Sequence, residues 1–211
     1  MDLETILLSD VIIESIDNHP EKLERRKEMS KMNNSYLKFP TIEEKEKWID
    51  YIKEYRKDNP KATPLGCKED INYEEWLKDI TEEHFEINLK EGRVPSSVYF
   101  LIEDDRIIGH LSIRHHINNP FLLTYGGHIG YGIRPSERRK GYATIILYKA
   151  LEKCSELGIE DVLVTCKEDN IASAKTIEKN HGILKETIWN PDLNCNFKKY
   201  WISVEEGLKK R

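Results

Sequence analysis

Arg134-Pro-Ser-Glu-Arg-Arg-Lys-Gly-Tyr-Ala143 is the stretch that decides the fold of this 211-residue chain. It follows an apolar, glycine-rich run over residues 127–133 that predicts a strand, and a helical pattern begins directly after it, at Thr144. The first N–H groups of a helix have no partner inside the helix, and the helix dipole favours negative charge there. Gly141 lets a phosphate come close because it has no Cβ. The stretch therefore predicts a turn that binds a pyrophosphate.

The glycine spacing within this turn resembles one known signature. Arg138-x-x-Gly141-x-Ala143 resembles the Q/R-x-x-G-x-G/A pyrophosphate signature of GNAT superfamily N-acetyltransferases, whereas the dinucleotide fingerprint and the ATP phosphate loop are absent. Downstream, the strand Asp161-Val-Leu-Val-Thr-Cys166 and the segment Asn170-Ile-Ala-Ser-Ala-Lys resemble the next conserved parts of that family, in the same order. A basic turn alone also occurs as a solvated surface loop, so the downstream match carries the resemblance, which covers residues 97–204.

The resemblance implies a fold in the α/β (α+β) class. We expect a mixed, mostly antiparallel sheet that splays after its fourth strand, with helices on both faces and the cofactor inserted at the split. Gly130 and Gly132 on the predicted fourth strand suit a bulge or a close backbone approach, although they also fit a merely weak strand. We treat residues 1–211 as a single acetyltransferase domain, with 1–95 as the N-terminal strand and helices on the substrate side and 96–204 as the acetyl-CoA-binding core.

Hydrophobic periodicity predicts the elements along the chain. Residues 3–16 suit one or two short strands, and the charged segment 20–32 opens a helix. Capping patterns at Thr41 and Asn72 begin two further helices, and the second has apolar positions as far as Ile87. The remaining predictions are strands over 97–102, 107–113, 126–133, 161–166, 183–189 and 197–204, with helices over 144–157 and after residue 170.

Composition excludes several function classes. The net charge is −5 and the pI is near 5.9, which argues against a nucleic-acid surface. No secretory signal pattern is visible, and no apolar run approaches the ~20 residues that cross a bilayer. The four cysteines form no CxxC pair, so reduced thiols and a cytoplasmic location are expected. His110, His115 and His116 lack a carboxylate or cysteine at ligand spacing, so we expect no metal.

The resemblance also implies a cosubstrate, acetyl-CoA, and the residues that hold it. Backbone amides of the turn would bind the pyrophosphate, and the pantetheine arm would run along the fourth strand beside Ile133, where a strand amide contacts the thioester carbonyl. Asn170 resembles the asparagine that reaches the pantetheine arm, although it suits a helix N-cap equally. The cofactor-binding residues predicted in this way are Ile133, Arg138, Arg139, Lys140, Gly141, Tyr142, Ala143, Thr144, Asn170 and Ser173.

His128 is the predicted general base. An amine with a pKa near 10.4 is neutral in only about one molecule in a thousand at pH 7, so a base is useful. His128 lies five residues before Ile133, close to the position of a catalytic carboxylate in several members of the family, and an imidazole titrates near neutrality. The alternative is a histidine that bonds a neighbouring strand or packs near the split.

The general acid departs from the family pattern. Many members carry a tyrosine seven residues after the motif asparagine, and here that position is Ile177, which cannot donate a proton. Tyr131, Tyr142 and Tyr200 are the possible replacements, or water protonates the thiolate. Tyr131 is the one we place in the catalytic site.

These expectations combine into an acetyl-CoA-dependent N-acetyltransferase in which an amine attacks the thioester directly in a ternary complex. A covalent acetyl-cysteine route is disfavoured because Cys166 lies on a buried-looking strand. The acceptor is a small-molecule or peptide amine, bound by the N-terminal helices, the loop 118–125 and the terminal hairpin. Nucleic acid and membrane partners are not expected, and a homodimer is plausible by family analogy.

Two alternatives remain open at this point. The missing tyrosine is compatible with a catalytically weak or inactive coenzyme A-binding module that acts as a sensor or interaction domain. The basic turn is also compatible with another phosphate ligand, a nucleotide or RNA, although the net charge argues against RNA.

Overall fold

The computed structural model describes residues 27, 29–32, 34–60, 64–67 and 72–209. The strands predicted over 3–16 lie outside the described residues, and residues 29–32 of the predicted first helix are helical. The strands are β1 (Tyr36–Lys38), β2 (Ser96–Glu103), β3 (Arg106–Arg114), β4 (Ile129–Ile133), β5 (Asp161–Lys167), β6 (Ile183–Asn190) and β7 (Cys195–Ser203). The α-helices are α1 (Lys45–Asp58), α2 (Tyr73–His84), α3 (Tyr142–Glu156), α4 (Ile171–Lys179) and α5 (Val204–Leu208).

The strands form two sheets, with the break between β4 and β5. The first sheet has the order β1-β2-β3-β4 and the second has the order β5-β7-β6, and every paired neighbour is antiparallel. The predicted splay after the fourth strand is therefore confirmed.

A backbone hydrogen bond joins the two sheets where β4 begins. The N–H of His128 donates to Leu163 O at 2.7 Å. Gly127 adopts a left-handed φ of 65°, and a Cβ there would lie 2.5 Å from the same carbonyl oxygen. Glycine is required at this position because both the torsion and the close approach exclude a side chain. Beyond this contact no ladder joins β4 to β5 among the described strands, and a gap opens between them.

Helices cover both faces of the first sheet, as predicted. On one face α3 is buried along Ile146, Leu147 and Ala150, which pack with apolar residues of β3, β4 and β5. On the other face, α1 and α2 form an aromatic core. The ring of Trp48 stacks on the ring of Trp76 with centroids 5.1 Å apart. Each face therefore buries a hydrophobic layer against the sheet.

Several element boundaries differ from the predictions. The strand predicted over 126–133 is shorter in the structure. Residues Leu122–Gly126 form a π-helical turn, and the left-handed φ of Gly127 interrupts the extended backbone before β4. Ile87 lies beyond the end of α2 and is 51% exposed, so its apolar character misled the helix prediction. The last strand ends at Ser203, since Val204 opens the short helix α5. The short strand β1 was not predicted, because three residues carry too little periodicity.

Candidate active site

The turn that precedes α3 presents a row of unpaired backbone amides. Arg139 and Gly141 both have left-handed φ values, 61° and 90°, so the chain curls before the helix begins. Among the described residues, no hydrogen bond leaves the amides of residues 139–143, whereas the next two amides, of Thr144 and Ile145, donate to Gly141 O. Consecutive amides at the start of a 15-residue helix form a concave site for an anion.

The basic side chains of the turn are mostly engaged with carboxylates. Arg138 lies over the end of α1, where its Nη1 is 2.7 Å from Asp58 Oδ2. Lys140 Nζ is 2.9 Å from Glu137 Oε2. Arg139 is exposed. The backbone amides therefore form the anion site, and the basic side chains surround it with positive charge that carboxylates partly neutralise.

A lysine from the N-terminal helix also reaches this turn. Lys31 Nζ donates to Lys140 O at 2.6 Å and lies 4.7 Å from the ring centre of Tyr142. Tyr142 itself is buried, and its hydroxyl donates to Glu103. Sequence reasoning missed Lys31, because nothing local indicates a contact across more than a hundred residues.

A buried arginine holds the turn against α1. Arg134 is 1% exposed, and its Nη1 lies 2.9 Å from both Asp50 Oδ2 and Glu54 Oε2. Glu54 also accepts the N–H of Ser136 at 2.8 Å. Burial raises the pKa of Glu54, but the hydrogen bonds from Ser136 and Arg134 outweigh it and hold that pKa below its ordinary value. The anion site is thus fixed to the helix behind it.

The edge of β4 that faces the gap is also unpaired. The N–H of Arg134 donates to Ile108 O and His128 O accepts from the N–H of Arg114, so even-numbered residues of β4 pair with β3. Bonding alternates along an antiparallel strand, so Ile129, Tyr131 and Ile133 direct their amides away from β3. An extended ligand arm has a strand edge to pair with at this place.

Tyr131 and Ser173 meet across the gap. Tyr131 Oη lies 3.2 Å from Ser173 Oγ, which joins β4 to α4. Burial raises the pKa of Tyr131, although the Ser173 hydroxyl acts in the opposite direction. Asn170 caps α4, since its Oδ1 accepts the N–H of Ser173 at 3.0 Å. Its side chain is exposed, and its amide NH₂ group points to no partner among the described residues, so capping leaves that group available.

The other two candidate tyrosines are tied elsewhere. Tyr142 bonds a carboxylate at the β2–β3 hairpin. Tyr200 is 1% exposed and its hydroxyl donates to Glu178 Oε1 at 3.2 Å. Ile177 is fully buried, and a Cβ on Gly182 would lie 2.3 Å from its Cγ2, so the position of the family's tyrosine is filled by core packing. Of the three, Tyr131 alone lies at the gap.

His128 is bonded to the neighbouring strand β5. Its Nδ1 accepts the N–H of Leu163 at 3.0 Å, so the proton of the neutral ring sits on Nε2. The ring is 6% exposed, and burial together with the charge of Arg114 lowers the pKa of His128 to about 4. The nitrogen that accepts protons is already in use, and these contacts favour the strand-bonding alternative over the predicted base.

A cavity of about 510 Å³ lies on the opposite face of the first sheet. Its floor includes His110, Ser112 and Arg114, which are alternate residues of β3 and share one face. Its wall includes Glu83 of α2, whose Oε1 is 2.6 Å from Arg93 Nη2 and whose Oε2 accepts the hydroxyl of Ser96 at 2.8 Å.

The sequence contains a signal for this cavity that the prediction did not use. The three polar residues His110, Ser112 and Arg114 alternate with Gly109, Leu111 and Ile113 in a strand that is otherwise apolar. Such alternation predicts one buried apolar face and one polar face. Because helices cover both faces, the polar side has to line an internal space.

His110 is neutral within this cavity. Its Nδ1 lies 2.7 Å from Tyr51 Oη, and burial lowers the pKa of His110 to about 3. A Cβ on Gly132 would lie 2.5 Å from the His110 ring, so that glycine accommodates the imidazole. The ring is therefore a fixed wall of the cavity.

A sheet split beside a helix N-terminus with free amides, and a polar cavity across the sheet, define an enzyme of the acyl-transfer class that holds a long phosphate-bearing cosubstrate. The sequence matches the model of the Acetyltransferase (GNAT) domain over residues 51–182, so the chain belongs to that family. No curated protein sequence matches the chain significantly.

Solved structures of acetyltransferases share this fold. The microcin C7 self-immunity acetyltransferase MccE, in complex with acetyl-CoA and AMP, has 16% identity and a TM-score of 0.61 over 81% of this chain and 92% of its own. RimL, a ribosomal protein α-N-acetyltransferase in complex with coenzyme A, has 16% identity and a TM-score of 0.61 over 82% of this chain and 96% of its own. A chimeric spermidine N-acetyltransferase SpeG from Vibrio cholerae and hSSAT has 12% identity and a TM-score of 0.58 over 84% of this chain and 99% of its own. At these identities the likeness shows the fold.

Proposed function

We propose that this protein is an acetyl-CoA-dependent N-acetyltransferase in which an amine attacks the thioester directly. The observation that carries the proposal is the continuous run of free amides over residues 139–143, next to the open edge of β4. The pyrophosphate of acetyl-CoA suits the first feature and its pantetheine arm suits the second. The turn before α3 and the open edge of β4 form the cosubstrate side, and the cavity beneath α2 forms the acceptor side.

The solved relatives support the cosubstrate and leave the acceptor undecided. MccE was crystallised with acetyl-CoA and AMP, whereas the names of RimL and SpeG give a ribosomal protein and spermidine as acceptors. Such different acceptors on one fold indicate that the cosubstrate site is the shared part. No helix among the described residues is long and apolar enough to cross a membrane.

The proposed reaction needs a proton acceptor and a proton donor. The amine nitrogen forms a bond to the acetyl carbon, the carbon–sulfur bond breaks, and the departing thiolate takes a proton. A backbone N–H on the free edge of β4 stabilises the oxyanion. Tyr131 protonates the thiolate, because its hydroxyl lies at the gap and its raised pKa keeps it protonated at neutral pH.

Glu83 is the proposed acceptor of the ammonium proton. It is the carboxylate among the cavity-lining residues that the structure describes, and its Oε2 accepts from the Ser96 hydroxyl. Glu83→Gln should lower kcat/KM at pH 7 about 100-fold, and raising the pH to 9.5 should recover most of the rate because the amine then loses its proton unaided. The same profile for His128→Gln tests the base predicted from sequence: selective recovery in that variant, and not in Glu83→Gln, would assign the role to His128.

Thermal unfolding with added ligands tests the proposed cosubstrate. A ligand at 100 times its Kd adds about 2.7 kcal/mol to the free energy of unfolding, a shift of a few degrees in Tm. Acetyl-CoA and coenzyme A should both raise Tm, and ATP should not. Equal shifts with ATP would assign the turn to phosphates in general, and no shift with either coenzyme A species would contradict the proposal.

A coenzyme A-binding module without turnover is the second candidate, favoured by the apolar packing at Ile177. The two functions separate in one assay, coenzyme A release from acetyl-CoA over a panel of amines. Release above the hydrolysis background supports the enzyme. Binding of acetyl-CoA without release for any amine supports the module.

A further inference from the structure

Two partly or fully buried arginines of the described chain stand in opposite electrostatic situations. Arg134 has two carboxylates within 2.9 Å. Arg114 has none at salt-bridge distance among the described residues, and its hydrogen bonds leave from Nη1 alone, to Gly126 O at 3.3 Å and Gly127 O at 3.0 Å. The guanidinium therefore carries its charge at the cavity wall without an ion-pair contact to a carboxylate of the described residues.

The remaining donors of Arg114 open on the cavity. The buried side-chain atoms without a hydrogen-bond partner among the described residues are Trp76 Nε1 and Arg134 Nη2. The Nε and Nη2 groups of Arg114 are not among them, so they are reached by solvent, and Arg114 lines the cavity. Two fixed N–H donors along one edge of the planar guanidinium match two oxygens of a carboxylate or phosphate.

The charges around the cavity add up to an excess of one positive charge. Glu83 is matched by Arg93 in a bond of 2.6 Å, and His110 is neutral. Arg114 therefore remains unmatched. Burial lowers the pKa of Arg114 and the charge of Arg93 lowers it further, and these two effects outweigh the opposite effect of Glu83, so the site disfavours the charge of Arg114 and gains when an anion arrives.

We propose that the acceptor amine carries an anionic group, a carboxylate or a phosphate, which pairs with Arg114 inside the cavity. The inference rests on the proposed function and adds the substrate class to it. Arg114 is the specificity-determining residue in this proposal, and Glu83, which also lines the cavity, receives the ammonium end. Amines with no anionic group, polyamines included, are poor acceptors.

Three primary amines with the same two-carbon spacing test the proposal. Ethanolamine is uncharged beyond its amine, β-alanine adds a carboxylate, and phosphoethanolamine adds a phosphate. Each is titrated into the full chain, alone and saturated with coenzyme A. We expect at least one anionic probe to bind tenfold or more tightly than ethanolamine, which corresponds to 1.4 kcal/mol. The anionic probe that binds more tightly shows whether the acceptor carries a carboxylate or a phosphate. Equal binding of all three probes, or no binding of any, overturns the proposal.

An arginine variant localises the effect. Arg114→Gln should remove the preference for the anionic probe and leave the affinity for ethanolamine within twofold. The variant also loses bonds to the loop before β4, so Arg114→Lys serves as a second variant that keeps the charge and should keep part of the preference. A preference that survives in Arg114→Gln would overturn the assignment.

The coenzyme A titration separates this test from that of the proposed function. If acetyl-CoA raises Tm but the anionic probes bind no more tightly than ethanolamine, the proposed substrate class is wrong and the transferase proposal stands. If the anionic probes bind and acetyl-CoA does not, the cavity assignment stands and the cosubstrate is wrong.

Discussion

The turn before α3 and the cavity beneath α2 are both shaped for a charged group, and they are built from different material. The turn offers backbone amides from five consecutive residues, and its geometry depends on the torsions of Arg139 and Gly141. The cavity offers side chains from several elements that are separate in the chain, including Glu83 of α2 and Arg114 of β3. A backbone site is insensitive to most side-chain changes and sensitive to one glycine, whereas a side-chain site loses function residue by residue.

The largest expected effect is at that glycine. Gly141→Asp should weaken acetyl-CoA binding more than 100-fold, because it forces a side chain at φ 90° and places a carboxylate against the phosphates. Isothermal titration measures the change. Gly158→Asp is the matched control: it lies at the other end of α3, has φ 71°, and a Cβ there meets nothing within 4 Å. Equal binding by both variants would contradict the role of the turn.

A large effect on rate is expected at the gap between the sheets. Tyr131→Phe should lower kcat about 100-fold while leaving the Kd for acetyl-CoA unchanged, since it removes a proton donor and keeps the ring. Ser173→Ala is the control, because it removes the hydroxyl partner and keeps the donor. Rapid-quench or steady-state coenzyme A release measures the rates. An unchanged kcat in Tyr131→Phe would leave the protonation of the thiolate to water.

The contact between the sheets at His128 should appear as pH-dependent stability. Its pKa is about 4 in the folded protein and about 6.5 when unfolded, so the fold favours the neutral ring. The stabilisation is complete above pH 6.5 and is lost as the pH falls towards 4, on the order of 3 kcal/mol. His128→Gln should flatten the dependence of the free energy of unfolding on pH in this window, as measured by urea titration.

A residual slope should persist in this variant, because His110 also has a lowered pKa. His181→Gln is the control, since His181 is exposed. An unaltered slope in His128→Gln would show that His128 is not buried as a neutral ring.

The smallest effect is expected for a basic side chain of the turn. Lys140→Ala should weaken acetyl-CoA binding only about threefold, since Lys140 is paired with Glu137 and exposed pairs contribute little. Titration at low and at physiological salt measures it, and the difference should shrink with added salt. A loss of affinity as large as that of Gly141→Asp would mean that side chains, and not backbone amides, bind the phosphates at the turn.

The same division explains what the sequence could predict. The turn and its helix were predicted because glycine spacing and periodicity are local features of residues 127–144. The split of the sheet was predicted because the family resemblance implies it. The cavity was not predicted, because Glu83 and Arg114 are separated by thirty residues and only the packing of α2 on the first sheet, chiefly on β2, brings them to one space. His128 was predicted as a base from its place on the strand, but its bond to Leu163 depends on the path of β5.

Backbone-amide NMR during addition of coenzyme A distinguishes the two sites in one experiment. We predict that the largest chemical-shift changes fall on residues 139–143 and on the free edge of β4 at Tyr131 and Ile133, and that those of His110 to Arg114 are small. Phosphoethanolamine or β-alanine should then shift the second set and leave the first. Large shifts of the cavity amides with coenzyme A, and none in the turn, would contradict the division of the molecule into a cosubstrate side and an acceptor side.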